Sequence, residues 1–165
     1  MSQKKYKVGI VPGSFDPITV GHLAIVRRAA ELCDEVYVAV MINSQKKYTF
    51  TMEQRKRIAE AACADVANAK VITSEGMLYE LARALGAEAI IKGVRNETDR
   101  AYEEEMAKFN SEHYKEAKTV LLKASDGLSD ISSTLVRAKL AADESIEGLL
   151  PGAALDEINR ILNNK

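Results

Sequence analysis

Val8–Pro12, V-G-I-V-P, runs straight into Gly13–His22, G-S-F-D-P-I-T-V-G-H, and this junction decides the fold. The apolar run reads as a strand, and a helix is expected from about Gly21. Phosphate binders with a doubly wound sheet often place a glycine-rich loop at such a point. Neither G-x-G-x-x-G nor G-x-x-x-x-G-K-[ST] is present, so neither the dinucleotide fingerprint nor the P-loop explains the junction. It offers Ser14, Thr19 and His22 instead, at a helix start whose free N–H groups and dipole suit an anion.

The same alternation continues along the chain. Strands are expected at Lys7–Pro12, Glu35–Ile42, Lys70–Thr73, Glu88–Lys92 and Thr119–Ala124. Helices are expected at Gly21–Cys33, from Met52 to about Cys63, at Met77–Leu85, from Asp99 to about Lys115, from Ser132 or Ser133, and at about Ala153–Leu162. Thr51 and Gln54 form a capping box for the second helix, and Gly86 stops the third. Met77, Leu78, Leu81, Ala82 and Leu85 are expected to face inward. Tyr102, Met106, Phe109 and His113 share one face of the fourth helix, a packed or interface stripe. Strands that are apolar throughout and separated by helices predict an α/β chain. The expected fold is a single Rossmann-like domain over 1–165, with a doubly wound five-stranded parallel sheet and a C-terminal helix. Ligands in such a sheet sit beyond the carboxyl ends of the strands. The loops Gly13–Thr19, Asn43–Phe50, Gly93–Thr98 and Ser125–Ile131 should therefore converge.

Composition limits the function. The 165 residues are 47% hydrophobic and 28% charged, with a formal net charge of −1. That balance argues against broad nucleic-acid binding, which needs positive surface. No run approaches the roughly 20 apolar residues of a membrane span. The apolar run behind the basic N-terminus is too short for a signal peptide, so a cytoplasmic protein without membrane attachment is expected. Cys33 and Cys63 read as buried thiols, with a disulfide as the lesser alternative.

The loops carry cations and hydroxyls rather than a metal cage. Lys46 and Lys47 follow strand two. Lys92, Gly93, Val94 and Arg95 follow strand four, where the glycine would let backbone approach a ligand closely. Ser132, Ser133 and Thr134 open a helix, either as simple caps or as phosphate ligands. Carboxylates are sparse (Asp16, Asp99, Glu103, Asp130), and no Ser-His-Asp triad can be assigned. This set suits charge stabilisation on phosphates better than a covalent intermediate.

G-S-F-D-P-I-T-V-G-H resembles the (T/H)-x-G-H signature of the nucleotidyltransferase superfamily, and I-S-S-T-L-V-R resembles its second motif. Q-K-K-Y-T-F-T-M-E-Q-R, I-I-K-G-V-R-N-E-T-D-R-A-Y-E-E-E-M and an ending of L-L-P plus one helix are similar to the bacterial phosphopantetheine adenylyltransferase family in particular. The resemblance implies a transferase of coenzyme A biosynthesis that joins ATP and phosphopantetheine, with Mg2+, to give dephospho-coenzyme A and pyrophosphate. It implies a cytoplasmic homohexamer. His22 would stabilise the transition state at the α-phosphate. Ser14 would touch ATP and the acceptor phosphate, and Phe15 would add a backbone contact to ATP. Lys46 and Lys92 would hold the acceptor phosphate, and Leu78 would line the pantetheine arm. Gly93, Val94, Arg95, Glu103, Leu128, Ser129, Asp130, Ile131, Ser132, Ser133 and Thr134 would contact ATP.

Three places depart from the family pattern. Lys92 replaces an arginine, Arg100 replaces an aromatic, and Leu128-Ser129-Asp130 replaces aromatic-Ser-Phe. The carboxylate of Asp130 should repel a triphosphate unless it points away or meets a cation. Within the superfamily, a cytidylyltransferase or a nicotinamide-nucleotide adenylyltransferase is the alternative. A non-catalytic flavodoxin-like module is a third reading, poorly served by Ser14-Phe15-Asp16-Pro17.

Overall fold

The computed structural model describes residues 4–42, 46–125 and 127–164. Positions 43–45 and 126, within two of the expected ligand loops, lie outside them, as do 1–3 of the basic N-terminus. Strands and helices alternate: β1 Tyr6–Gly13, α1 Val20–Leu32, β2 Cys33–Met41, α2 Met52–Ala62, β3 Ala69–Ser74, α3 Leu78–Leu85, β4 Ala89–Val94, α4 Glu97–His113, β5 Lys118–Lys123, α5 Ser133–Ala141 and α6 Gly152–Asn163. Among the described residues the five strands form one parallel sheet in the order β3-β2-β1-β4-β5. The chain winds outward from β1 to β3, then returns to lay β4 on the other side of β1. The β1–β4 boundary is therefore the topological switch point.

Apolar strands make sense because both faces are covered. Val11, Val36, Val38, Val40, Ala89 and Ile91 join a large core with α1, α2 and α6. Ile10, Ala39 and Ile90, their alternating neighbours, join a smaller core with Ala82 and Ala87. Leu78, Leu81 and Leu85 of α3 pack against that smaller core, as expected. Met77 does not: it is the N-cap residue of α3 and is 45% exposed. Tyr102 (60% exposed) and Phe109 are likewise exposed, so the expected stripe of α4 is a surface rather than core.

Caps set the helix starts. Thr51 and Gln54 make the expected capping box, and Gly86 ends α3 in the left-handed conformation at φ 64°. α4 begins two residues earlier than expected, because the Asn96 side chain accepts from the Asp99 N–H. Cys33 and Cys63 are free and buried, so the disulfide alternative is not formed. Burial pushes both thiols up to about 11, which keeps them protonated and unreactive.

β1 pairs with β2 along its whole length, from Tyr6↔Cys33 to Gly13↔Val40. Its pairing with β4 covers only Gly9↔Ala89 and Ile10↔Ile90. Beyond Ile10 the two central strands are unpaired with each other, and there a crevice opens.

Candidate active site

The crevice is a cavity of about 350 Å³ between the ends of β1 and β4 and the start of α5. Its first wall is the loop after β1. Phe15 sits there at φ 46°, an uncommon conformation for a residue with a large side chain. Three carbonyls of this loop are captured from outside it. The Ser14 oxygen accepts from Arg55 Nη1 at 2.8 Å and the Asp16 oxygen from Arg137 Nη1 at 2.9 Å. The Pro17 oxygen accepts from Ser133 Oγ at 2.7 Å. An anion entering the crevice therefore does not face free lone pairs at these positions.

Thr19 caps α1, and His22 is the third residue of the helix. The His22 N–H donates to Thr19 Oγ1 at 3.4 Å, while the Thr19 N–H donates to His22 Nδ1 at 3.0 Å. This is a capping box with imidazole in place of the usual Glu or Gln. Because Nδ1 accepts, the ring proton belongs on Nε2. The Phe15 ring meets the imidazole edge-on, with centroids 5.2 Å apart. Burial, with a smaller contribution from the Arg95 charge, lowers the His22 pKa to about 4. Near neutral pH His22 is thus an uncharged Nε2–H donor on the cavity wall.

Lys46, Lys92, Arg95 and Arg137 line the same cavity. Lys92 Nζ lies 2.6 Å from Glu103 Oε2, and Glu103 is buried outside the lining. Arg95 is held by Asp99, 3.3 Å from its Nε. Gly93 and Val94 also line the cavity, but the glycine has a packing reason as well. A Cβ there would lie 2.9 Å from Ile25 Cγ1, so Gly93 lets α1 press against β4.

The third wall is the α5 start, where Leu128, Ile131, Ser132, Ser133 and Thr134 all line the cavity. Their hydroxyls already have partners. Ser132 Oγ caps α5 by accepting from the Leu135 N–H, Ser133 reaches Pro17, and Thr134 Oγ1 accepts from Arg137 Nη2. Ser129 and Asp130 are exposed and outside the lining, so the extra carboxylate does not face the cavity. Leu78 is also outside it.

Sequence reasoning passed over Arg55 and Arg137 as site residues, and it named Thr19 without its bond to His22. Arg137 closes the quoted I-S-S-T-L-V-R run, so its position was a signal. The T-x-x-H spacing of Thr19 and His22 was another. Arg55 gave none, because an arginine within a polar helix reads as solvated, yet it is 1% exposed.

The nearby carboxylates are engaged. Asp16 accepts from the Thr49 and Phe50 N–H groups at 2.9 Å each, Asp99 holds Arg95, and Glu103 holds Lys92. Among the described residues no group of three or more His, Cys, Asp or Glu side chains is placed to hold a metal ion. This donor set does not fit a protein-built magnesium cage, which would want free carboxylate oxygens. It fits a polyanion, with one neutral and several cationic donors converging.

The model of the cytidylyltransferase-like family matches residues 10–139. Three proteins named phosphopantetheine adenylyltransferase are similar over nearly the whole chain. The one from Lachnoclostridium phytofermentans is 36% identical, covering 96% of this chain and 98% of its own. The one from Streptococcus sanguinis is 38% identical over the same shares. The one from Rubrobacter xylanophilus is 40% identical, covering 93% of this chain and 94% of its own.

Proposed function

Because the chain belongs to the cytidylyltransferase-like family and, within it, to the phosphopantetheine adenylyltransferases, we propose that it transfers the adenylyl group of ATP to phosphopantetheine. The products are dephospho-coenzyme A and pyrophosphate. A terminal phosphate oxygen of the acceptor attacks the α-phosphorus of ATP in line. A new phosphorus–oxygen bond forms, and the bond from the α-phosphorus to the α–β bridging oxygen breaks. The bridging oxygen leaves with the electron pair as part of pyrophosphate. No enzyme nucleophile is required, and the protein contributes positioning and charge stabilisation.

The observation that carries this reading is the fixed tautomer of His22. Its Nε2–H donates to a non-bridging oxygen of the α-phosphate, and that bond strengthens as the oxygen gains charge in the transition state. A neutral donor does this without delivering a proton. Ser14, Lys46 and Lys92 hold the acceptor phosphate, with Glu103 fixing the Lys92 ammonium. Gly93–Arg95, Leu128 and Ile131–Thr134 receive the nucleotide, Phe15 adds its backbone, and Leu78 borders the pantetheine arm. Any magnesium would count as part of the ATP substrate and would supply charge neutralisation there, since Asp16, Asp99 and Glu103 are already engaged. The enzyme works in the cytoplasm as a homohexamer. The exposed aromatic face of α4, where the Phe109 and His113 rings cluster with Tyr79 of α3, supports an assembly.

The test is pyrophosphate release with ATP or CTP against a panel of phosphorylated acceptors. ATP with phosphopantetheine should give by far the highest kcat/KM. Preference for CTP, or for nicotinamide mononucleotide, would overturn the reading.

A further inference from the structure

Arg55 is the largest fully buried side chain among the described residues, and nothing in the reaction calls on it directly. It comes from the first turn of α2. Its Nη1 donates to the Ser14 oxygen at 2.8 Å and to the Met41 oxygen, the end of β2, at 3.1 Å. Its guanidinium carbon lies 3.9 Å from the centroid of the Tyr48 ring. Its Nε has no hydrogen-bond partner, and no carboxylate pairs with it among the described residues. A buried charge in that condition is costly. A hydrophobic residue would fill the space at lower cost, so its contacts have to account for it.

Those contacts join two segments next to the cavity. One holds Ser14. The other is the turn holding Lys46 and Tyr48. Asp16 ties the same segments together from the other side, through the Thr49 and Phe50 N–H groups. The loop after β1 and the turn after β2 are thus joined twice, by a cation from α2 and by a carboxylate from the loop itself. A planar guanidinium can donate from its edge while its face lies on a ring, a geometry that an ammonium, having no plane, does not reproduce.

We propose that Arg55 is a positioning residue that sets the distance between Ser14 and Lys46, and thereby the grip on the acceptor phosphate. This rests on the reading that Ser14 and Lys46 take that phosphate. Arg55 lies outside the cavity lining and acts through Ser14, which also serves ATP, and through Lys46, which serves the acceptor phosphate alone, so its effect falls mainly on acceptor binding.

Steady-state kinetics and amide hydrogen exchange on the full chain test it together. Arg55→Lys and Tyr48→Leu should each raise the KM for phosphopantetheine by about three- to tenfold, the range expected for a lost cation–aromatic contact. The KM for ATP should stay within about twofold, a gap wide enough to resolve. Tyr48→Phe keeps the ring against the guanidinium and should disturb the KM split less than Tyr48→Leu does. Exchange should quicken in peptides covering 13–17 and 46–51 and stay unchanged in the core strands. Tyr48→Leu keeps Arg55 in place, so the test survives if Arg55→Lys fails to fold. Unchanged exchange at both segments in Tyr48→Leu overturns the proposal, whatever the substrate. Quicker exchange with equal rises in both KM values overturns the assignment to the acceptor side. Wild-type protein that releases no pyrophosphate from ATP and phosphopantetheine defeats the adenylyl-transfer reading instead, and exchange still decides whether Arg55 fixes the two segments.

Discussion

A histidine at the surface takes up a proton near pH 6.5, but His22 keeps its ring neutral to about pH 4. The unfolded chain protonates at the ordinary value. Between about pH 6.5 and about 4 the unfolded state therefore holds more protons, and stability falls as pH drops through that window. His22→Ala should shrink the difference in melting temperature between pH 7 and pH 4.5, which calorimetry reads directly. The same substitution should lower kcat by about 10²- to 10³-fold, the usual cost of losing one aligned donor to a developing charge. ATP affinity, read by calorimetric titration, should change little, because the bond counts mainly in the transition state. His22 was legible as a candidate from its place at the strand-to-helix junction. Its tautomer was not, since that depends on a backbone N–H three residues earlier. Arg55 was illegible for a related reason. Its burial comes from β2 and the loop after β1, which no helical periodicity encodes.

Element boundaries followed closely from local chemistry. Thr51 with Gln54, and Gly86 at a left-handed stop, are short-range signals and sit where the sequence placed them. What packing added is clearest at Gly93. The sequence suggested close approach of a ligand, and the structure adds close approach of a helix, with Ile25 filling the space a Cβ would need. Gly93→Ala should push α1, and His22 with it, off β4. Overpacking of this kind costs about 1–3 kcal/mol. We expect a fall in kcat larger than the loss of thermal stability alone would produce. Adding Ile25→Ala to Gly93→Ala should recover part of that kcat. Failure of the double variant to exceed the single one in turnover would argue that the glycine serves the ligand alone. At α5 the hydroxyls had two readings, cap or phosphate ligand. Ser132 and Ser133 already serve as cap and tether, and both still face the cavity.

For the whole molecule, the parallel sheet and its convergent loops were readable because strand and helix patterns alternate so regularly. The strand order β3-β2-β1-β4-β5 was not, since pairing is a tertiary choice. The stripe on α4 was legible only as either packed or interface, because periodicity marks an apolar face without saying what covers it. Light scattering should give the mass of six chains, and Phe109→Glu or Tyr102→Lys should lower it if that face is buried between copies. A monomer at micromolar concentration would count against the assembly.

The loop after β1 is completed by groups more than a hundred positions away, with Ser133 on Pro17 and Arg137 on Asp16. A chain emerging from a ribosome has therefore translated nearly everything before those two clasps exist. Truncated or stalled products that stop short of them carry the first signature run, Gly13–His22, without the two clasps that complete its loop.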